Sequence, residues 1–132
     1  IIHVRDAHDT VFEVLDGLAE AGIGMKGVFH AFSGSIETYR RIRRHGDFRV
    51  GIGGVVTYKN AGIASTVKDI PLEDILLETD SPWLTPVPYR GRRNESSYLG
   101  LIAGKIAQIK EIPVETVDLA TTAAAKALFN LT

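Results

Sequence analysis

Residues 26–53 read KGVFHAFSGSIETYRRIRRHGDFRVGIG and contain a strand pattern, a helix pattern and a second strand pattern in succession. The apolar run that ends at His30 is short enough to be a strand. Residues 36–44 have helical spacing and are followed by Gly46, a residue type that commonly ends helices. A strand, a helix and a strand in this order predict parallel strands joined by a right-handed crossover.

The same succession occurs four times along the chain. Thr10 and Glu13 form a capping-box pattern at the start of the first helix, and Pro113 separates the last two helices. A long loop up to Asn94 follows the fourth strand. We expect strands at residues 1–4, 26–30, 48–53 and 75–78, and helices at residues 10–21, 36–44 and 64–68 and on either side of Pro113.

This alternation predicts an α/β fold with parallel strands and outer helices. The spacing of about 33 residues per unit is close to that of an eight-unit barrel. The chain also opens on Ile1 in a strand pattern, without methionine. We therefore expect residues 1–132 to form half of a TIM (β/α)8 barrel, with free sheet edges that permit self-association unless missing strands cover them.

Composition limits the classes of function. An apolar fraction of 45% and a charged fraction of 23% are typical of an ordinary globular protein. The net charge of -1 provides no overall positive field, so any anion binding must be local. The absence of cysteine excludes thiol chemistry. No apolar stretch approaches a membrane span and no signal pattern is present, so we expect a cytoplasmic protein that binds no membrane.

Three potential metal ligands stand at the carboxyl ends of predicted strands. They are His3, His30 and Asp80. Imidazole and carboxylate groups suit zinc, manganese and similar divalent ions. Each residue alone also has a structural explanation, as a hydrogen-bonded histidine or as an aspartate that forms a turn. Their shared position at one end of three strands favours a metal site.

Four segments carry a family resemblance. They are IHVRDA at residues 2–7, VFHAFSG at 28–34, LLETDSP at 76–82 and PYRGRRNE at 88–95. In this order they resemble the signatures of the TatD-like metal-dependent deoxyribonucleases, and residues 121–129 are similar to the closing helix of that family. The resemblance implies a TIM barrel of about twice this length, of which this chain is the C-terminal half.

The resemblance also implies the chemistry. His3 and His30 would hold one divalent ion and Asp80 the other, with Mg, Zn or Mn as the metal and two ions in the full-length protein. Asp80 would also be catalytic, positioning the water that attacks a DNA phosphodiester. The remaining ligands, two histidines and a bridging glutamate, would lie in the absent half. The isolated chain is therefore expected to be inactive.

Three residues are candidates for substrate binding. Arg5 would contact phosphate, or instead pair with Asp6 or another strand-end acid. Arg90 lies in the family-like loop beside Tyr89, which suits phosphate contact with nearby stacking. Asn94 would approach the substrate or act as a helix N-cap.

Other polar residues receive structural interpretations, and two alternative functions remain open. Glu78 would orient a histidine or act as a buried acceptor. The basic residues of the second helix and two histidines are expected on the surface, and three glycines are expected to permit turns: Arg40, Arg41, Arg43, Arg44, His8, His45, Gly51, Gly53 and Gly54. The alternative functions are hydrolysis of a small amide or phosphoester, and a non-catalytic half-barrel fragment.

Overall fold

The computed structural model describes all 132 residues and shows one four-stranded parallel sheet in the order β1-β2-β3-β4. The predicted α/β class is confirmed, because each strand pairs in parallel with the next one along the chain. The strands are β1 (Ile2–His3), β2 (Lys26–His30), β3 (Asp47–Ile52) and β4 (Ile75–Leu77), and the helices are α1 (His8–Glu20), α2 (Ile36–Arg44), α3 (Ile63–Asp69), α4 (Leu99–Lys110) and α5 (Val114–Phe129). Three short 3-10 segments lie at Gly54–Thr57, Leu72–Asp74 and Ser96–Tyr98.

One face of the sheet carries the main hydrophobic core. Phe29, Val50 and Ile75 are register partners in β2, β3 and β4, and all three are buried. Helix α4 contributes Ile102 and Ile106 to the same apolar cluster. Each fully buried side chain of this size contributes roughly 1.5–3 kcal/mol, so this face fixes the strand register.

The opposite face carries His30, and we call it the site face. Because side chains alternate along a strand, Val28 of β2 and Leu76 of β4 also belong to the site face. They pack against Ala124 and Leu128 near the end of α5. This contact leaves the carboxyl end of the site face for polar residues.

Helix α1 begins earlier than the sequence predicts. The expected capping box of Thr10 and Glu13 is wrong, because the helix starts at His8 and no side chain caps its first turn. Asp6 adopts a left-handed backbone with φ of 53°, and the carbonyl of Ala7 already accepts the first helical bond. The turn at Asp6 therefore sets the start of the helix.

A buried aspartate organises the amino ends of β3 and β4. Asp74 is 5% exposed and accepts a hydrogen bond of 2.5 Å from the Tyr39 hydroxyl. Arg43 and Arg49 place side-chain nitrogens 3.1 and 3.4 Å from its carboxylate. The prediction that Arg43 belongs to a solvated face is thus wrong, because its guanidinium forms an ion pair with the buried carboxylate of Asp74.

The prediction that His45 is a surface residue is also wrong. Its side chain is 7% exposed, although the sequence predicts a surface residue. The ring stacks on Phe12 at 5.2 Å, and Nε2 lies 2.8 Å from Asp16 on α1. His45 therefore joins the end of α2 to α1.

None of the five helices is both long enough and apolar enough to cross a lipid bilayer.

Candidate metal and substrate site

His30 lies between two carboxylates at the carboxyl end of the sheet. Its Nδ1 is 3.0 Å from Oε1 of Glu78, and its Nε2 is 3.1 Å from Oδ1 of Asp80. His30 is the last residue of β2, whereas both carboxylates follow the end of β4. Parallel pairing through β3 brings these two strand ends to the same edge, as the sequence predicts.

These contacts favour the protonated form of the imidazole. Burial of the ring disfavours the charged form, but the carboxylates of Glu78 and Asp80 outweigh it and raise the pKa of His30 above its usual value. A protonated ring donates to both carboxylates at once. A metal ion that binds a ring nitrogen of His30 would compete with a proton at that nitrogen.

Glu78 contacts His30 and acts as a hydrogen-bond acceptor, although it is only partly buried. Its Oε1 contacts His30 and also accepts a hydrogen bond of 2.6 Å from the Ala31 amide. Gly51 makes room for this carboxylate, because a Cβ at Gly51 would lie 1.9 Å from Oε2 of Glu78. The expectation that Gly51 permits a turn is wrong, since Gly51 lies inside β3. Glycine is required at position 51 because a side chain there would collide with the Glu78 carboxylate.

Left-handed backbone occurs directly at the site. Ala31, next to His30, has φ of 50°, and Asp80 has φ of 55°. This conformation is unfavourable for Ala31 in particular, whereas aspartate adopts it more readily, and strained backbone clusters at functional sites. At Ala31 it accompanies the bond from the Ala31 amide to Glu78, which holds the turn closed.

His3 lies beside His30. The two residues are register partners of β1 and β2, and their ring centroids are 5.7 Å apart. His3 is exposed at the edge strand. The structure therefore brings His3 next to His30, and His30 next to Asp80, at one end of the sheet.

The donor set of this site fits a divalent ion in kind but is incomplete in number. Imidazole nitrogen and carboxylate oxygen are suitable ligands for zinc, manganese and magnesium. Within residues 1–132, however, no group of three or more His, Asp or Glu side chains is arranged to hold a metal ion. The role of His3, His30 and Asp80 as metal ligands remains a prediction, and a metal held by them would need further ligands.

Asn94 is a structural residue in this chain. It is 1% exposed, and its side-chain amide donates to the carbonyls of Thr79 and Trp83 at 2.5 Å each. The interpretation of Asn94 as a helix N-cap is wrong, because the Ser96–Tyr98 segment starts after Glu95 without a side-chain cap. Substrate contact by Asn94 remains a prediction. Asn94 holds the loop that follows Asp80.

The predicted phosphate-binding arginines differ in their surroundings. Arg5 is exposed and forms no ion pair, so the alternative of a salt bridge to Asp6 is not realised. The Arg90 guanidinium lies 4.1 Å from the centre of the Tyr58 ring. Arg90 also lines an open groove of about 570 Å³. Substrate contact by Arg5 and by Arg90 remains a prediction.

Sequence reasoning missed Tyr58 and Trp83 as members of this groove. Trp83 stands three residues after Asp80 and is the only tryptophan of the chain, a signal that the sequence already contains. Tyr58 precedes Lys59 in a loop with no distinctive pattern. Its position beside Arg90 depends on contacts between distant loops.

Comparisons with known proteins show what this chain is similar to. The family model described as TatD related DNase matches residues 1–130. The chain is 42% identical to the uncharacterized metal-dependent hydrolase YabD of Bacillus subtilis, over 99% of this chain and 51% of that protein. It is 33% identical to the uncharacterized metal-dependent hydrolase YcfH of Escherichia coli K12, over 99% of this chain and 49% of that protein.

Two solved structures share the fold. The TatD homologue YJJV of Escherichia coli K12 superposes with a TM-score of 0.86 at 26% identity, over 98% of this chain and 49% of that chain. A TatD family hydrolase of Entamoeba histolytica gives a TM-score of 0.84 at 23% identity, over 98% and 50% of the two chains. The predicted half-barrel fold is thereby confirmed, and the chain spans about half the length of the curated relatives that it matches. The chain belongs to the TatD family.

Proposed function

We propose that this chain forms half of a divalent-metal-dependent hydrolase that cleaves phosphodiester bonds of DNA. The observation that supports the proposal most directly is the contact of His30 with Asp80 at the strand ends, with His3 beside them. The incomplete donor set fits a site whose other ligands come from a complementary half barrel. The family description, TatD related DNase, supports DNA as the substrate.

Different residues of this chain have different roles in the proposed reaction. His3, His30 and Asp80 would hold the metal, which supplies Lewis-acid polarisation of a phosphoryl oxygen and an activated water. Asp80 positions the attacking water and accepts its proton. Glu78 orients the His30 ring through Nδ1, and Arg5 and Arg90 bind phosphate groups of the strand.

A chimera tests this proposal. The chain replaces the matching half of the Bacillus subtilis relative, to which it is 42% identical. We expect the chimera to degrade a labelled single-stranded oligodeoxynucleotide with Mg²⁺ or Mn²⁺, and EDTA to stop the reaction. Asp80→Asn should abolish cleavage, whereas Asp118→Asn, at an exposed position on α5, should not. Cleavage in EDTA, or by the Asp80→Asn variant at the wild-type rate, would contradict the proposal.

A small amide or phosphoester is the alternative substrate. The same chimera, tested with a panel of small esters and amides, separates the two substrate classes. Faster turnover of a small compound than of DNA would favour the alternative.

The free sheet edges favour a second, non-catalytic candidate, in which two copies of this chain associate. Strands β1 and β4 lie at the edges of the sheet. A cavity of about 250 Å³ on the site face also has an apolar lining that includes Ile1, Val28 and Phe129. Edges and apolar surface of this kind are usually covered. A solution mass near one chain at all concentrations would exclude this candidate.

A further inference from the structure

Trp83 is a large aromatic side chain in an unusual environment. It is 72% exposed, although it is the only tryptophan of the chain. No aromatic ring and no guanidinium stacks on its indole, whereas Tyr58 and Tyr89 both have stacking partners. Most of the indole surface is therefore accessible in this chain, and no ring or guanidinium occupies its faces.

The backbone of Trp83 is fixed next to the candidate catalytic residue. Its amide donates to the carbonyl of Asp80 at 2.9 Å, and its carbonyl accepts from the buried Asn94 side chain at 2.5 Å. These two bonds hold the backbone of Trp83 against the turn that contains Asp80.

The groove beside Trp83 is positively charged. Its nine lining residues include Arg90, Arg92 and Arg93 and no acidic residue. None of the three arginines forms an ion pair in the chain. In a chain with a net charge of -1, this is a local concentration of unpaired positive charge. Its volume of about 570 Å³ lies within the range of roughly 300–1,000 Å³ typical of ligand pockets.

Free indole faces and unpaired arginines are the two components by which proteins bind single-stranded nucleic acid. We propose that this groove is a nucleotide subsite, in which a base of the DNA strand stacks on Trp83 while Arg90, Arg92 and Arg93 contact the adjacent phosphates. The proposal rests on the proposed function for the identity of the strand. It adds Trp83 as a residue that binds a base of the strand.

The single tryptophan makes the test direct, because all indole fluorescence reports on Trp83. The chain is titrated in EDTA, which prevents cleavage, with a short oligodeoxythymidylate and with an abasic oligonucleotide of equal length. We expect the thymidylate to quench the emission and bind more tightly, because only it can stack. Equal binding and equal emission changes with both probes would overturn the stacking role.

Variants test the two components separately, with anisotropy of a labelled oligodeoxythymidylate as the readout. Trp83→Leu should weaken binding about 5- to 100-fold, and Trp83→Phe should retain most of the affinity. Arg92→Ala should weaken binding and reduce its salt dependence by about one unit of slope. Arg44→Ala, at an exposed position on α2 without an ion pair, is the matched control and should bind as the wild type does.

The outcomes separate this proposal from the proposed function. Wild-type affinity in both Trp83→Leu and Arg92→Ala would refute the subsite even if the chimera cleaves DNA. Conversely, quenching and loss of affinity in these variants would establish the subsite even if the chimera cleaves no DNA.

Discussion

Nε2 of His30 lies 3.1 Å from Oδ1 of Asp80, although the two residues are 50 positions apart in the chain. The contact joins the end of β2 to the residue that forms the turn after β4. It is possible because β3, lying between them, carries Gly51 where a larger residue would displace the neighbouring Glu78. The site thus depends on the order of the strands and on the lack of a side chain at Gly51, which leaves space for Glu78.

Gly51→Ala should displace the Glu78 carboxylate, because the new Cβ would lie 1.9 Å from Oε2. The Ala31 amide would then lose its bond to Glu78 and exchange faster with solvent. Amide hydrogen exchange at Ala31 measures this effect. Gly53→Ala is the control, since a Cβ there would meet Glu78 no closer than 3.6 Å. Equal exchange at Ala31 in the two variants would show that Gly51 does not position Glu78.

Asn94→Ala should destabilise the chain by about 1–3 kcal/mol, because the carbonyls of Thr79 and Trp83 lose their donor. Chemical denaturation measures the free energy of unfolding. The exposed Asn60 provides the control, and Asn60→Ala should change stability by no more than about 0.5 kcal/mol. If both variants are equally stable, the loop after Asp80 does not depend on Asn94.

Tyr39→Phe should lower stability by about 1.5–3 kcal/mol at neutral pH, because it removes a hydrogen bond to the buried Asp74 carboxylate. Tyr98→Phe, whose hydroxyl makes no hydrogen bond, serves as the control.

The same contact predicts a pH dependence. Burial and the bond to Asp74 raise the pKa of Tyr39 above its usual value of 10.0. The unfolded chain ionises at the usual value while the folded chain stays protonated, so the contribution of Tyr39 is fully present below pH 10.0 and declines above it. Urea unfolding at several alkaline pH values should show a steeper loss of stability for the wild type than for Tyr39→Phe. Parallel curves would contradict this assignment.

The sequence predicts the strand-end residues well because their signal is local. His30 and Asp80 each follow an apolar run, and parallel strands put such positions at one edge. The burial of Asn94 and His45 was not predictable in this way. An asparagine before glutamate is also a common cap pattern, and His45 packs on Phe12 of a different helix. Tertiary contacts decided both cases.

The space at Gly51 was not predictable either. It depends on the pairing of Gly51 with Leu76 in β4 and on the conformation of Glu78 beyond it. A glycine can be required because the backbone adopts an unusual conformation or because a neighbouring group lies too close for a side chain, and the sequence alone does not distinguish these reasons. Only the register separates the two explanations.

Mn²⁺ binding to the chimera of this chain with the half barrel of the Bacillus subtilis relative tests the central claim most directly. Calorimetry should show two ions per molecule for the wild type and for Asp118→Asn, which controls for folding. Asp80→Asn should lose one ion or bind it at least about tenfold more weakly, because in the proposed site Asp80 would supply a ligand oxygen. Binding by Asp80→Asn with the stoichiometry and affinity of Asp118→Asn would contradict the assignment of Asp80 to a metal site.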